Sequence, residues 1–211
     1  MICRLICAFC LVMASLSAAA QQIMYANLRE LVEEQGDTVT TLAVERRTKK
    51  HIQMTGGADY RIYSSDNEGL SRYLKSRCYA VRIDTALYVN CRKMRYKHFR
   101  FGNWYAPARQ IGNKIYYVAR PMGQAASRTL TPTDATRLGG QVGDAINVAG
   151  LLEERVFYEL DLETGKSYFV GREKMAVLLS NRPEEQKRLL EEERESADVI
   201  ARYLRKLIVT E

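Results

Sequence analysis

The sequence predicts an α+β fold, in which antiparallel hairpins pack against helices and a long helix ends the chain. Turn signals at residues 84–85 and 112–113 each lie between two runs rich in Val, Ile and Tyr, which is typical of hairpins. Apolar residues at steps of three and four predict a helix at residues 131–152. A second, long helix is predicted to begin at Pro183, because acidic residues follow that proline and basic residues lie near the end of the segment. Strands and helices therefore both contribute to the predicted core.

Residues 1–20 have the pattern of a cleaved secretory signal peptide. Arg4 gives the start one positive charge, and residues 5–16 are an uncharged apolar run, too short to cross the roughly 30 Å hydrocarbon core. The small residues at 17–20 suit a signal peptidase, whereas a buried N-terminal helix is the alternative. Cleavage would leave residues 21–211 as a single predicted α+β domain, with no later run long enough to span a membrane.

The predicted location is the periplasm or the extracellular space. Neither Cys7 nor Cys10 follows a small residue, so the sequence does not predict a lipoprotein. The net charge of +7 biases the surface toward anionic partners without identifying one.

The first part of the predicted domain alternates between helices and strands. Residues 22–34 fit a helix, and residues 38–52, rich in Thr and Val, fit a strand that extends into solvent. A short strand follows at residues 60–63, and a capping box from Ser65 to Glu68 predicts a brief helix. This mixture of short elements is typical of an α+β domain.

Two cysteines remain after the signal peptide, and a disulfide between them is predicted. They lie in two strand-like runs, residues 78–83 and 86–91, that flank a turn at residues 84–85. A two-residue turn places Cys78 directly opposite Cys91, at a separation that suits a disulfide in an oxidising compartment. A three-residue loop would instead shift the register and leave two free, buried thiols.

The second half of the chain predicts two more hairpins and three helices. Hairpins are expected at residues 106–122 and 156–170, and a short helix at residues 172–179. Residues 131–152 carry an apolar seam with three glycines beside it, which favours close helix packing over a membrane dimerisation face.

The long C-terminal helix that begins at Pro183 has an apolar face only near its end, so its first half is predicted to be solvated. That face offers a docking surface for a partner protein, as an alternative to internal packing. It comprises Val199, Ile200, Tyr203, Leu204, Leu207 and Ile208.

No catalytic, cofactor or metal site is predicted. His51 and His98 each lie in a basic run, without the spacing of a metal site. The sequence lacks a Gly-x-Ser-x-Gly nucleophile motif and a glycine-rich phosphate loop. Glu159 and Asp161 alternate on a predicted strand, which requires no catalytic role. The sequence favours a non-catalytic protein, and the alternative is a small envelope hydrolase whose site is assembled from distant residues.

One segment is a candidate surface for an anionic ligand, because basic residues and aromatic rings alternate in it. Cationic groups hold anions while rings stack on flat ligand faces. The expected ligand of an exported protein is an envelope glycan, a lipid head group or a partner protein, and nucleic acid is not expected. The alternative is a strand end with bases in solvent and aromatic rings in the core. The candidate residues are Arg92, Lys93, Arg95, Lys97, Arg100, Trp104 and Tyr105.

Three runs of the sequence are distinctive: residues 87–108, 138–146 and 158–165. Together they resemble an uncharacterised family of exported proteins from Gram-negative gut anaerobes, and the resemblance extends over residues 70–207. It implies an envelope or secreted location, in agreement with the predicted signal peptide. It implies no activity, cofactor or site residue.

Overall fold

The computed structural model describes residues 21–123, 125, 154–193 and 196–208. Within these residues the chain forms a mostly antiparallel, open sheet and six helices, so the predicted α+β class is confirmed. The predicted signal peptide and the helix predicted at residues 131–152 lie outside the described residues.

The N-terminal half alternates short strands with three helices. In chain order its elements are β1 (Gln22–Tyr25), α1 (Leu28–Val32), β2 (Asp37–Val39), β3 (Leu42–Arg46), α2 (Lys49–Thr55), β4 (Tyr60–Ser64), α3 (Glu68–Ser76), β5 (Ala80–Ile83) and β6 (Ala86–Asn90).

The C-terminal half begins with six strands and ends with three helices. These are β7 (Arg95–Tyr96), β8 (Phe99–Arg100), β9 (Tyr105–Ile111), β10 (Lys114–Ala119), β11 (Val156–Asp161), β12 (Ser167–Val170), α4 (Arg172–Leu178), α5 (Pro183–Glu191) and α6 (Ala197–Ile208).

Along the main path of the sheet, three pairs of neighbouring strands are not consecutive in the chain: β1 with β5, β6 with β9, and β12 with β7. The main path runs β2-β1-β5-β6-β9-β10-β11-β12-β7-β8, and β3 pairs with β4 beside it. β4 joins the path through a bridge between Tyr60 and Tyr105. β7 pairs with β12 in parallel at Ser167 and Tyr96, which brings the short β7–β8 hairpin beside a strand that is distant in sequence.

The three predicted hairpins are confirmed. Ala80 pairs with Val89 across a two-residue turn at residues 84–85, which is the predicted register. β9 and β10 flank the turn at residues 112–113, and β11 pairs with β12. The strand predicted at residues 60–63 is also present, as β4. Local turn chemistry therefore determines these pairings.

The helix predicted at residues 22–34 is wrong as a single element. Its first four residues form β1, which pairs with β2 on one side and β5 on the other. A shorter helix, α1, follows, and the Asn27 side chain accepts the backbone N–H of Glu30 at 3.0 Å to cap it. The two ladders outweigh the helical pattern of the segment, since tertiary pairing overrides local propensity. The strand predicted at residues 38–52 likewise divides into β2, β3 and α2.

The long C-terminal helix is not confirmed. Glu192 adopts an extended backbone and ends α5, and α6 begins five residues later at Ala197. Two side chains of α6 then bind the Glu192 carboxylate: the Tyr203 hydroxyl at 3.1 Å and the Arg202 guanidinium at 3.0 Å. The break allows both helices to pack on the same face of the sheet, where Leu189 of α5 is buried.

The predicted partner-docking face of α6 is therefore internal to the fold. It packs on the outer face of β10 to β12, together with α4 and α5, and its first four members are buried. These are Val199, Ile200, Tyr203 and Leu204.

The buried apolar residues form three clusters, and because successive side chains of a strand point to opposite faces of the sheet, neighbouring residues of one strand belong to different clusters. On β10, Ile115 and Tyr117 belong to the central cluster, while Tyr116 between them belongs to the cluster under α4 to α6. The third cluster lies between the sheet and α3, and includes Leu74 and Val81. None of the described helices has the length and hydrophobicity that crossing a bilayer requires.

Candidate functional site

The structure does not contain the predicted disulfide, since Cys78 and Cys91 are both free and buried. The hairpin register is as predicted, but the backbone N–H of Cys78 donates to Tyr73 at the end of α3. Cys78 consequently lies in the cluster beneath α3, where its thiol donates to the carbonyl of Ala80 at 3.2 Å. Cys91 lies in the central cluster on the opposite face of the sheet. The loss of strand geometry at Cys78 thus separates two thiols that the register alone would pair.

The predicted anionic-ligand surface divides into exposed bases and packed aromatic rings. Tyr105 is fully buried and donates a hydrogen bond to the Leu74 carbonyl at 2.8 Å, so it belongs to the core. Trp104 is half-buried and lies apart from the β7–β8 hairpin, near Arg61 and Lys75. The five basic residues are exposed: Arg92, Lys93, Arg95, Lys97 and Arg100.

Two of these bases join residues of the β11–β12 hairpin to form a cleft. We call it the β7–β12 cleft; its volume is about 440 Å³ and its main lining residues are Arg95, Tyr96, Lys97, Lys166, Ser167 and Tyr168. Three of those side chains are cationic, and none is a carboxylate. The cleft therefore presents a positive charge to any ligand that enters it.

The floor of the β7–β12 cleft is rigidly bonded. Tyr96 and Ser167 are buried, and the Ser167 hydroxyl accepts a hydrogen bond from Tyr117 at 2.9 Å. In the preceding turn, the Asp161 carboxylate accepts the backbone N–H of Thr164 at 2.9 Å. These bonds hold Lys166 and Tyr168 at fixed positions beside the β7–β8 hairpin.

A second cleft shares Tyr168 with the first and contains the two carboxylates noted in the sequence. This β10–α4 cleft has a volume of about 580 Å³, and it is bounded by Lys114, Tyr116, Glu159, Asp161, Tyr168 and Lys174. Such a pair of carboxylates in one cleft is what the hydrolase alternative requires.

Each of these carboxylates, however, is engaged by a lysine. Glu159 is only 3% exposed; it accepts Lys174 Nζ at 3.0 Å and the Tyr116 hydroxyl at 3.0 Å. Asp161 is bonded to Lys114, which holds the pKa of that carboxyl well below its usual range. Burial and the nearby Glu159 charge raise the pKa of Tyr116, so its phenol stays protonated. Both carboxylates are therefore stabilised as anions by their lysine partners, and neither is available as a general base or a general acid.

Neither histidine belongs to a metal centre in the described part of the chain. The His98 ring lies against Phe99, with centroids 4.0 Å apart, and the His51 carbonyl accepts a guanidinium N–H from Arg47 at 3.4 Å. Among the described residues no group of three or more His, Cys, Asp and Glu side chains is placed to hold a metal ion.

With this geometry established, comparison with known proteins places the chain in a family. The model of a family of unknown function, DUF6563, matches residues 23–211. The chain belongs to DUF6563. No curated protein and no solved structure matches it. Membership of DUF6563 confirms the expected resemblance to an uncharacterised family, while the exported location and the bacterial source remain predictions.

Sequence reasoning identified one wall of the β7–β12 cleft in this DUF6563 protein and missed the other. Arg95 and Lys97 belong to a run that is conspicuous for its basic composition. Lys166 and Tyr168 lie in an ordinary hairpin, and only the parallel bridge between β7 and β12 brings them together with that run. Pairing between strands so distant in sequence leaves no local signal.

Proposed function

We propose that this protein is a non-catalytic binding domain of the cell envelope and that its ligand is an acidic glycan. The observation that supports the proposal is the β7–β12 cleft, where Arg95, Lys97 and Lys166 surround a cavity whose described lining residues include no carboxylate. Cations in this arrangement form charge-assisted hydrogen bonds with carboxylate, sulfate or phosphate groups.

The aromatic wall of the cleft favours a sugar over other anions. Tyr168 is 41% exposed, and Lys174 lies 5.2 Å from the centre of its ring. An exposed tyrosine offers a flat apolar face with a polar end, which suits the apolar face and hydroxyl groups of a sugar ring. Charges at the rim then bind the acidic substituents of the same sugar.

The surroundings of the cleft extend its positive charge. Arg95 is directly opposite Arg100 on the β7–β8 hairpin, and both side chains are exposed. A polymer that carries one acidic group per repeat can therefore make contacts outside the cleft as well as within it. The envelope location in this proposal rests on the signal peptide predicted at residues 1–20.

The proposal is tested with a double charge reversal, Arg95→Glu with Lys166→Glu. The matched control is Arg72→Glu with Arg77→Glu, which changes the net charge equally at two exposed positions, one within α3 and one at its C-terminal cap. Binding to immobilised polygalacturonic acid is measured, and dextran serves as the neutral polysaccharide. We expect the first variant to bind about tenfold more weakly than the control, since each exposed pair contributes about 0.2–1 kcal/mol and reversal adds repulsion.

Salt provides a second measurement, because screening shortens the range of exposed charges. Binding of the wild-type protein should weaken as sodium chloride increases, while its circular dichroism spectrum stays unchanged. Equal affinity of the two double variants, equal binding to dextran, or binding confined to anionic lipid vesicles would overturn the glycan proposal. Release of new reducing ends from the polysaccharide would favour the hydrolase alternative instead.

A further inference from the structure

A separate basic pocket lies between the end of β3, α2 and the residues that precede β11. We call it the Arg47 pocket; its volume is about 380 Å³, and it is lined by Arg46, Arg47, Lys49, Gln53, Asp59 and Arg155, with Ile52 at one side. Four of these side chains are cations and one is a carboxylate. The Arg47 pocket shares no residue with the β7–β12 cleft.

The single carboxylate of the pocket is occupied by one of its arginines. Both oxygens of Asp59 accept the Arg155 Nε, at 3.0 and 3.1 Å, and Arg155 Nη2 bonds to one of them as well. This bidentate pair links residues that are 96 positions apart in sequence. The Asp59 charge also acts on Arg47, but without a hydrogen bond to it.

Arg47 is only 5% exposed, and within the described part of the chain no carboxylate forms a hydrogen bond with it. Its Nη1 donates to the carbonyls of Gly56 and Ala58, at 2.8 and 2.6 Å, and its Nη2 bonds to Thr55 Oγ1. The Nε has no hydrogen-bond partner. Burial lowers the pKa of Arg47; the nearby Asp59 carboxylate opposes this shift, and the Arg155 charge adds to it. A buried guanidinium held by neutral oxygens leaves a positive potential that an anion would compensate.

The backbone beside Arg47 is fixed in unusual conformations. Gly56, Gly57 and Gly102 all have positive φ angles, and Trp104, which lies next to them, has a φ of 79°. A side chain at Gly57 would begin 2.4 Å from the Asn103 carbonyl oxygen, so only glycine fits there. These glycines hold the segment that accepts the hydrogen bonds of Arg47 in a fixed position.

We propose that the Arg47 pocket binds a tetrahedral oxyanion, the phosphate group of a small ligand. Arg46 and Lys49 are exposed at its mouth, Arg47 is buried at its base, and Arg155 is already paired with Asp59. A phosphate carries more charge than a carboxylate and has oxygens in several directions, which matches cations that approach from different elements.

The fluorescence of Trp104 can report phosphate binding in the Arg47 pocket. Trp104 is the only tryptophan of the chain, and the Arg47 guanidinium lies 5.4 Å from the centre of its ring. Titration of the protein with inorganic phosphate, at constant ionic strength maintained by chloride, should change the Trp104 fluorescence along a saturable curve. Sulfate should compete with phosphate, and acetate should not.

The variant that tests the pocket is Arg46→Ala with Lys49→Ala, because both side chains are exposed and their loss leaves the bonds of Arg47 intact. Its control is Arg72→Ala, an exposed arginine on α3. We expect phosphate to bind the double variant about tenfold more weakly, which corresponds to about 1.4 kcal/mol. Unchanged affinity in the double variant, or a response that rises linearly without saturation, would overturn the proposal.

To distinguish the Arg47 pocket from the β7–β12 cleft, each double variant is also tested for binding of the other ligand. Arg95→Glu with Lys166→Glu should leave phosphate binding unchanged, and the Arg46 and Lys49 variant should leave polysaccharide binding unchanged. Loss of phosphate binding in the cleft variant would show that the phosphate response arises outside the Arg47 pocket.

Discussion

Replacing Lys174 by Met removes the cation that balances a buried carboxylate. Glu159 is 3% exposed, and Lys174 Nζ lies 3.0 Å from one of its oxygens. Breaking a fully buried ion pair by removing one partner costs about 3–5 kcal/mol. The Lys174 side chain is 37% exposed, and Glu159 keeps the hydrogen bond from Tyr116, so water and that bond offset part of the loss. We therefore expect Lys174→Met to lower the free energy of unfolding by about 2 kcal/mol.

The assay is urea unfolding followed by Trp104 fluorescence, with thermal unfolding as a check. A loss of 2 kcal/mol corresponds to a decrease in Tm of about 4–8 °C for a protein of this size. The matched control is Lys187→Met, at an exposed position of α5, which should stay within about 0.5 kcal/mol of wild type.

The double variant Glu159→Gln with Lys174→Met separates charge from packing. Glutamine retains an acceptor for the Tyr116 hydroxyl but leaves no buried charge without a partner. The double variant should therefore be more stable than Lys174→Met alone, with a coupling energy of about 1–2 kcal/mol. Additive effects, or a Lys174→Met protein as stable as its Lys187→Met control, would refute the view that the pair compensates a buried charge.

Two further predictions concern buried thiols and a crowded glycine. Burial raises the pKa of both thiols, that of Cys91 to about 12, so iodoacetamide at pH 8 should label Cys78 and Cys91 in urea but neither in the native protein, as counted by mass spectrometry. Because the thiol pKa values are higher in the folded than in the unfolded protein, the free energy of unfolding should decrease as the pH rises above about 9. Urea unfolding at a series of pH values measures this decrease. Gly123→Ala should cost about 1–2 kcal/mol more than Gly112→Ala. Both glycines have a φ of 54°, but a Cβ added at Gly123 would lie 2.5 Å from the Phe99 ring, whereas one added at Gly112 would meet no atom within 4 Å. Equal costs would contradict this reasoning.

Short-range turn chemistry is the part of the fold that the sequence predicts well. The turns at residues 84–85 and 112–113 fix strand register, since a hairpin aligns its two strands through the turn alone. By contrast, β1 forms where the pattern indicates a helix, because its neighbours in the sheet come from elsewhere in the chain. The break at Glu192 also results from packing against distant strands. Two short helices can both pack on the sheet, whereas one straight helix would extend beyond its edge.

In the candidate sites, too, the residues of local patterns could be predicted and their partners from distant segments could not. Arg95 and Lys97 could be identified from composition, but their partners across the cleft depend on a parallel bridge that no local pattern encodes. The pairing of Asp59 with Arg155 could not be predicted, because it joins two residues that are each unremarkable in sequence. The register of the β5–β6 hairpin was predicted correctly, but Cys78 and Cys91 lie just outside its strands, and the end of α3 turns Cys78 to the opposite face.

The bridge between β7 and β12 also determines when, during synthesis and folding, the β7–β12 cleft can form. A nascent chain that has reached β8 already contains Arg95 and Lys97, but it lacks the strand that carries Ser167 and Tyr168. Contacts between distant segments carry the greatest loop-closure cost and form late in folding. An incomplete chain would therefore display positive charge without a cleft, and capture of the ligand would mark a molecule whose synthesis and folding are both finished.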